Sequence, residues 1–423
     1  MKLEDLRGKK ILIVGYGREG QATEVFLREY VPDCTIGIAD ATRDPDYLKM
    51  QDSYDVAIRS PGVPKRLMRI RYTTATNIFF ALEPGFTIGI TGTKGKSTTA
   101  SLVHHFLRAG GVDSVLAGNI GKPVLEAWME HRNKRVQYVL ELSSYMLDDF
   151  EHAPDAALTV SLYQDHIDYH GSCEAYYEAK HNLVRFMKRG LYVYNPRFPE
   201  FVRWAQEVQC RALPYDDSIE IGMSGNPLLG EHNLENIRGA ATLAVHQGIP
   251  AETIRNSLKT FRPLPHRLQN IGTYQGITFY DDAISTTPES TIAALRSLKR
   301  VDCLFLGGAD RGYDFRPLVE EICKRNISIL VFFPDTGTRI HAMLKGRGFA
   351  FRSILTSGME EAVRFAYDTC EPGSVVLLST ASPSYSLWKN FEEKGTEYQR
   401  LVRAYDQKTK VAPEDAENKN SPG

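Results

Sequence analysis

Cysteine is sparse and scattered in this sequence. The six residues Cys34, Cys173, Cys210, Cys303, Cys323 and Cys370 form no C-x-x-C pair and no metal-ligand spacing. That excludes a disulfide-stapled scaffold and a zinc ribbon, and it is read as reduced thiols in a cytoplasmic protein. Long apolar runs are lacking too: none approaches the roughly 18 residues that cross a bilayer, so membrane insertion is not expected. Charge of one sign is absent, because 51 Lys and Arg stand against 52 Asp and Glu. Nothing therefore draws the chain toward nucleic acid or an anionic membrane. The opening segment Met1–Lys10 is of mixed charge with no apolar stretch, which is not the pattern of a secretory signal. No internal repeat is found. The polar segment after Tyr405 has no apolar face, and 408–423 is expected to be a disordered tail.

What the chain does have is a core and a rhythm. Hydrophobic residues make up 42 % of 423 positions, enough for two to four domains at roughly 100–200 residues each. Short apolar runs recur with helical stretches between them: Ile11–Val14, Thr35–Ala39, Asp55–Ile58, Phe86–Ile90, Tyr138–Leu142, Ala157–Val160, Val301–Leu306, Ile327–Phe332 and Ser374–Leu378. A helix is expected over His232–Gln247, and 221–227 reads as irregular. Such alternation predicts an α/β protein with mostly parallel sheets covered by helices. Glu83-Pro84-Gly85 and the prolines of Phe261–Pro265 mark boundaries. The expected domains are 1–84, 85–262 and 263–407, each with a parallel sheet covered by helices.

Thr91-Gly92-Thr93-Lys94-Gly95-Lys96-Ser97-Thr98 follows a predicted strand and precedes the helical stretch Thr99–Ala109. Glycines let backbone N–H groups turn inward around phosphate oxygens, and the helix presents its positive end to the anion. Lys96 would reach the β- and γ-phosphates of ATP, and Ser97 or Thr98 would hold Mg²⁺. The bland alternative is a glycine-rich strand-to-helix connection. The spacing Gly92-x-x-Gly95-Lys96-Ser97 is shorter than the usual G-x-x-x-x-G-K-[ST].

Gly15-Tyr16-Gly17-Arg18-Glu19-Gly20 also follows a strand, with Asp40 about twenty residues on. A dinucleotide site, glycines for tight strand-to-helix packing and a nucleotide-sugar site all fit this pattern. The downstream phosphate loop favours the last, since phosphoryl transfer needs no hydride carrier. Further along, Glu141 at a strand end is a hard oxygen ligand suited to Mg²⁺. Its rival reading is a surface carboxylate. On its own, His166 after Asp165 reads as a loop histidine, and Lys180 as a solvated helix lysine.

Taken together, the motifs resemble the Mur ligase family, in its glutamate-adding branch. The resemblance runs from about Gly15 to Gly395. It is carried by the phosphate loop Gly92–Thr98 and by Gly118-Asn119-Ile120-Gly121, Glu141-Leu142-Ser143-Ser144-Tyr145, Asp165-His166-Ile167-Asp168 and Ala179-Lys180. Gly230-Glu231-His232-Asn233-Leu234-Glu235-Asn236, Pro265-His266-Arg267 and Lys389–Gly395 extend it.

The resemblance implies an ATP-dependent ligase with a Rossmann-like N-terminal domain, a central P-loop ATPase domain and a Rossmann-like C-terminal domain. It would join glutamate, D-glutamate favoured, to UDP-MurNAc-L-alanine through an acyl phosphate in peptidoglycan precursor synthesis, as a cytoplasmic monomer. It implies catalytic roles for Lys96, His166 and Lys180. ATP would contact Gly92, Thr93, Lys94, Gly95, Ser97, Thr98, Asn233, Asn236, Arg267 and the ribose-binding Asp282. Two Mg²⁺ would be held by Ser97, Glu141, His166 and Lys180, the last as a carbamate. The UDP-sugar would meet Gly17, Arg18, Glu19, Asp40, Ser60, Pro61, Gly62, Asn119 and Ser143. Glutamate would meet Thr286, Arg311, Ser384, Tyr385 and Phe391, and closure of the last domain would keep water from the acyl phosphate.

Departures from the family pattern are visible. Asp282-Ala283-Ile284-Ser285-Thr286-Thr287 stands where the family often has Asp-Ser-Lys-Ala-Thr-Asn, so Ile284 lacks that lysine's charge. Arg311 stands in Gly307-Gly308-Ala309-Asp310-Arg311 where the family has lysine, a change a carboxylate tolerates because guanidinium binds it in a fork. Gln164 replaces an acidic residue. These changes bear on the hand of the glutamate, since a related branch adds L-glutamate. A folylpolyglutamate synthetase would lack the Gly15–Gly20 domain. A regulator that kept the fold without the chemistry would not need Lys96, Glu141, His166 and Lys180 together.

Overall fold

The computed structural model describes residues 1–217, 219, 228, 231–384 and 387–410, with His232 and 408–410 described by backbone alone. The expected irregular stretch 221–227, Gly230, Tyr385 and most of the expected tail lie outside the described residues.

The chain divides into two compact units, Met1–Arg262 and Pro263–Gly423. The first unit holds two sheets. One contains β1 (Lys10–Val14), β2 (Thr35–Ala39), β3 (Val56–Arg59) and β4 (Tyr72–Thr73) in the order β2-β1-β3-β4, all parallel. The other contains β5 (Thr87–Thr91), β6 (Ser114–Gly118), β7 (Gln137–Glu141), β8 (Ala156–Thr159), β9 (Leu191–Tyr194) and β10 (Arg211–Pro214). Its order is β10-β9-β8-β5-β7-β6, again all parallel.

Strands β1, β5, β7 and β8 are buried along nearly their whole length because helices cover both faces of a parallel sheet. Apolar runs such as Ile11–Val14 follow from that burial. One hydrophobic cluster joins the two sheets, with Phe26 edge-on to Trp128 and Phe79 edge-on to Tyr138. The turn expected at Glu83-Pro84-Gly85 is present: Glu83 and Gly85 both have positive φ.

The second unit has one sheet. Its strands are β11 (Gln269–Tyr274), β12 (Ile277–Asp281), β13 (Cys303–Gly307), β14 (Ile329–Phe333), β15 (Arg352–Leu355) and β16 (Val375–Leu378), in the order β11-β12-β16-β13-β14-β15. All neighbours are parallel except β11 and β12, a hairpin closed by the two residues Gln275-Gly276. The helix Phe391–Lys410 packs its Tyr398 and Val402 into the core of this unit.

Candidate functional site

In open parallel sheets, ligands gather beyond the carboxyl ends of the strands, and most of the candidate residues lie there. In the first sheet, Val14 is level with Ala39 and with Arg59. Gly15–Gly17, Asp40 and Ser60–Gly62 therefore leave three adjacent strands side by side. Ser60 Oγ donates to the Gly15 carbonyl at 2.7 Å. Gly20 packs so closely on the Gly15 carbonyl that a Cβ there would collide with it. Asp40 accepts from the Tyr16 amide at 2.5 Å and the Thr42 amide at 2.9 Å. The Thr42 hydroxyl and those amides hold its carboxyl below its ordinary pKa. Gly17 caps the helix Arg18–Tyr30. Arg18 donates to the Gly121 carbonyl at 3.0 Å, tying this edge to the loop after β6 that carries Asn119. Glu19 is different: burial pushes its carboxyl up to about 7.

The phosphate loop leaves β5 and enters the helix Lys96–Ala109. Gly95 caps that helix with φ 84, and a Cβ there would collide with Asn236 Oδ1. Only glycine fits both demands. Ser161, at the end of β8, accepts from the Lys94 amide at 2.9 Å and donates to the Lys94 carbonyl at 2.8 Å. Thr93 Oγ1 donates to the Tyr163 carbonyl and accepts from Tyr176 at 2.9 Å. Lys96 Nζ donates to the Thr93 carbonyl at 3.0 Å, and Lys180 Nζ to the Gly92 carbonyl at 2.8 Å. Asn236 donates to Asn233 Oδ1 at 3.0 Å. Ser97 and Thr98 open the helix, Thr98 buried.

Lys180 is 1 % exposed. Burial first, then the nearby Lys96 ammonium, drives its pKa well below that of a free lysine. Glu141 is buried at the end of β7, next to β5. Its Oε1 accepts from Asn119 Nδ2 at 2.9 Å, while its Oε2 is buried with no hydrogen-bond partner among the described residues. Ser143 caps the short helix Ser144–Leu147. His166 has φ 53, and its Nδ1 lies 2.8 Å from Tyr145 Oη. Burial lowers its pKa against the pull of Asp165. Asp165 meets Lys94 at 3.3 Å.

The described residues contain no group of three or more His, Cys, Asp or Glu side chains placed to hold a metal ion. A buried carboxylate oxygen without a partner nevertheless suits a hard cation, and Mg²⁺ commonly takes only one or two carboxylates plus water and phosphate oxygens. Glu141 Oε2 thus suits such an ion.

In the second unit, three loops at the carboxyl edge are laced together. Gly307 N donates to the Thr380 carbonyl at 2.8 Å and Ala309 N to the Pro383 carbonyl at 2.9 Å. Thr380 Oγ1 reaches the Ser285 carbonyl at 3.4 Å. Thr286, Arg311 and Ser384 are carried on these loops. Arg311 is exposed, Thr286 half-buried and Phe391 opens the last helix. Ser384 is buried, and its Oγ has no partner among the described residues. Asp282 accepts from Leu268 N at 3.0 Å and Ser379 Oγ at 2.8 Å, and burial raises its pKa to about 6. Arg267 is half-buried.

Sequence reasoning gave no role to several supporting residues. Ser161, Tyr176 and Tyr145 brace the phosphate loop or His166. Lys394, fully buried, donates to Thr380 Oγ1 at 2.5 Å, and burial takes its pKa down to about 7. A lysine inside an apolar helix stripe is the signal that could have revealed the last.

Two family descriptions match the chain: the Mur ligase middle domain over 90–226 and the Mur ligase glutamate ligase domain over 266–381. The UDP-N-acetylmuramoyl-L-alanine--L-glutamate ligase of Salinispora tropica is 33 % identical over 95 % of this chain and 99 % of its own. The chain belongs to the Mur ligase family. A UDP-N-acetylmuramoylalanine--D-glutamate ligase of Oenococcus oeni is 29 % identical over 94 % of this Mur ligase and 97 % of its own chain. Among solved structures, the UDP-N-acetylmuramate-alanine ligase of Thermotoga maritima superposes with a TM-score of 0.62 at 17 % identity, covering 95 % of this chain and 100 % of that one. That likeness shows the Mur ligase fold: α/β, with mostly parallel sheets. No described helix of this Mur ligase is long and apolar enough to cross a membrane.

Proposed function

We propose that the chain is an ATP-dependent ligase that joins glutamate to UDP-MurNAc-L-alanine in peptidoglycan precursor synthesis. The observation that carries this reading is the grouping of Lys96, Lys180 and the half-partnered Glu141 about one phosphate loop. The substrate carboxylate attacks the γ-phosphorus of ATP, ADP leaves, and an acyl phosphate forms. The free amine of glutamate then attacks the acyl carbon, and inorganic phosphate leaves with the bonding pair.

The backbone amides of Gly92–Lys96 cradle the phosphates, and Lys96 offsets charge on the transferred group. Ser97, Glu141 and His166 would hold Mg²⁺, which when bound would neutralise phosphate charge. Burial favours the neutral amine of Lys180, the form that adds CO₂, so Lys180 is suited to carry a carbamate. Asn233, Asn236, Arg267 and Asp282 serve ATP. Gly17, Arg18, Glu19, Asp40, Ser60–Gly62, Asn119 and Ser143 serve the UDP-sugar. Thr286, Arg311, Ser384, Tyr385 and Phe391 serve glutamate.

We assign these roles to 1–84 for the sugar nucleotide, 85–262 for ATP and 263–407 for glutamate, in a cytoplasmic monomer. D-glutamate is the enantiomer proposed. L-glutamate has observations of its own in its favour: the Salinispora relative carries that activity in its name, and Ile284 and Gln164 depart from the family pattern. ADP release with UDP-MurNAc-L-alanine and each enantiomer in turn tests both. No release with either refutes the proposal.

A further inference from the structure

His166 can offer a metal ion only the ring nitrogen that carries no proton. Which nitrogen that is depends on what faces the other one. The groups facing Nδ1 are well defined. Tyr145 Oη lies 2.8 Å away and the Asp165 carboxylate 3.7 Å away. The negative charge of the carboxylate beside Nδ1 favours the tautomer with its proton there, and that N–H then donates to the phenol oxygen within hydrogen-bond reach. Nε2 is then left with its lone pair.

The phenol is held in place from several sides. The Tyr145 ring stacks on His170 with 9° between planes, and its centroid is 4.2 Å from that of Tyr169. His170 is itself fixed by Ser144 Oγ at 3.1 Å. Tyr169 Oη donates to the Pro61 carbonyl at 2.9 Å, and the Tyr145 carbonyl accepts from the buried Arg59 at 3.4 Å. The ring therefore has little room to swing away from His166.

We propose that Tyr145 is a positioning residue: its phenol oxygen accepts the Nδ1 proton of His166 and so commits Nε2 to the metal ion. The inference rests on the reading of His166 as a metal ligand. Removing the partner of a ligating histidine weakens metal affinity by about 10- to 100-fold. Tyr145→Phe keeps the ring, its stacking and its volume, and removes only the oxygen.

The test uses the full chain with labelled histidine. Long-range nitrogen–proton NMR reads the His166 tautomer, the signal being identified by its loss in His166→Ala. The wild-type ring carries its proton on Nδ1, and Tyr145→Phe loses that preference. Mn²⁺ titration followed by electron paramagnetic resonance then shows Tyr145→Phe weakened by about 10- to 100-fold. A wild-type ring protonated on Nε2, or a tautomer and Mn²⁺ constant unchanged in Tyr145→Phe, overturns the role of Tyr145. A wild-type Mn²⁺ constant in His166→Ala overturns the ligand reading instead, so the two failures are told apart.

Discussion

Lys94, Lys96 and Lys180 bring three amino groups to one loop, and they are not equivalent. Lys94 is paired with Asp165 and half-exposed, Lys96 lies along the loop, and Lys180 is sealed beneath it. Lys96→Ala should lower turnover by about 10²-fold or more while thermal stability stays near wild type, because a cation aimed at the transferred phosphate acts in the transition state. Near-normal steady-state turnover would remove the loop from the chemistry. His170 makes a separate, acid-sensitive prediction. Its side chain is 1 % exposed, and burial takes its pKa down to about 4 against the pull of Asp148. Between about pH 6.5 and pH 4 the unfolded chain binds a proton that the folded chain refuses. Stability from this group is therefore complete above that window and falls as pH drops through it, by at most about 1.4 kcal/mol per pH unit. His170→Gln should flatten this acid limb in melting curves, and an unaltered limb would contradict the assignment.

Elements place these residues, and their legibility in the sequence followed burial. Central parallel strands such as β1, β5, β7 and β8 are apolar on both faces, so they stand out as short runs. The margins do not. β10 and β15 are exposed at both ends and only half-buried between, and β11 alternates with no clear apolar face, so none of these strands announces itself. The expected helix over His232–Gln247 spans Glu231–His246. The motifs located the phosphate loop, Glu141, His166 and Lys180. The braces Ser161, Tyr145 and Tyr176 were given no role because a serine or tyrosine acquires its meaning only from a neighbour distant in sequence. Gly95→Ala tests the loop: with φ 84 and Asn236 Oδ1 in the way, it should cost about 1–3 kcal/mol and weaken nucleotide binding by calorimetry. Binding and melting both at wild-type values would mean the loop yields. Arg311→Ala tests the laced loops of the second unit. The loss of one charge-assisted pair, roughly 1.5–3 kcal/mol, should raise the Michaelis constant for glutamate about 10- to 150-fold and leave that for ATP nearly unchanged. Arg311→Lys should recover part of it. An unchanged glutamate constant would remove Arg311 from the glutamate site and move the search to Ser384.

At the scale of the molecule, the two units differ in how they are held together. The first is joined by a cluster that runs from Leu6 to Trp204 across both of its sheets. The second has its own two clusters, built from residues between Ile271 and Val402. Residues 263–410 expressed alone should therefore fold with a cooperative melt, and a non-cooperative one would show that they depend on the first unit. The proposed ATP, sugar-nucleotide and glutamate residues, by contrast, are spread over all three sheets, so the proposed activity calls for the whole chain. The most direct test is ADP release by the whole 423-residue chain with ATP, Mg²⁺, UDP-MurNAc-L-alanine and D- or L-glutamate, omitting one component at a time. The account predicts ADP release that depends on both the UDP-sugar and one enantiomer of glutamate, with a glutamylated nucleotide product identified by mass. ADP release indifferent to glutamate, or none with either enantiomer, would contradict it.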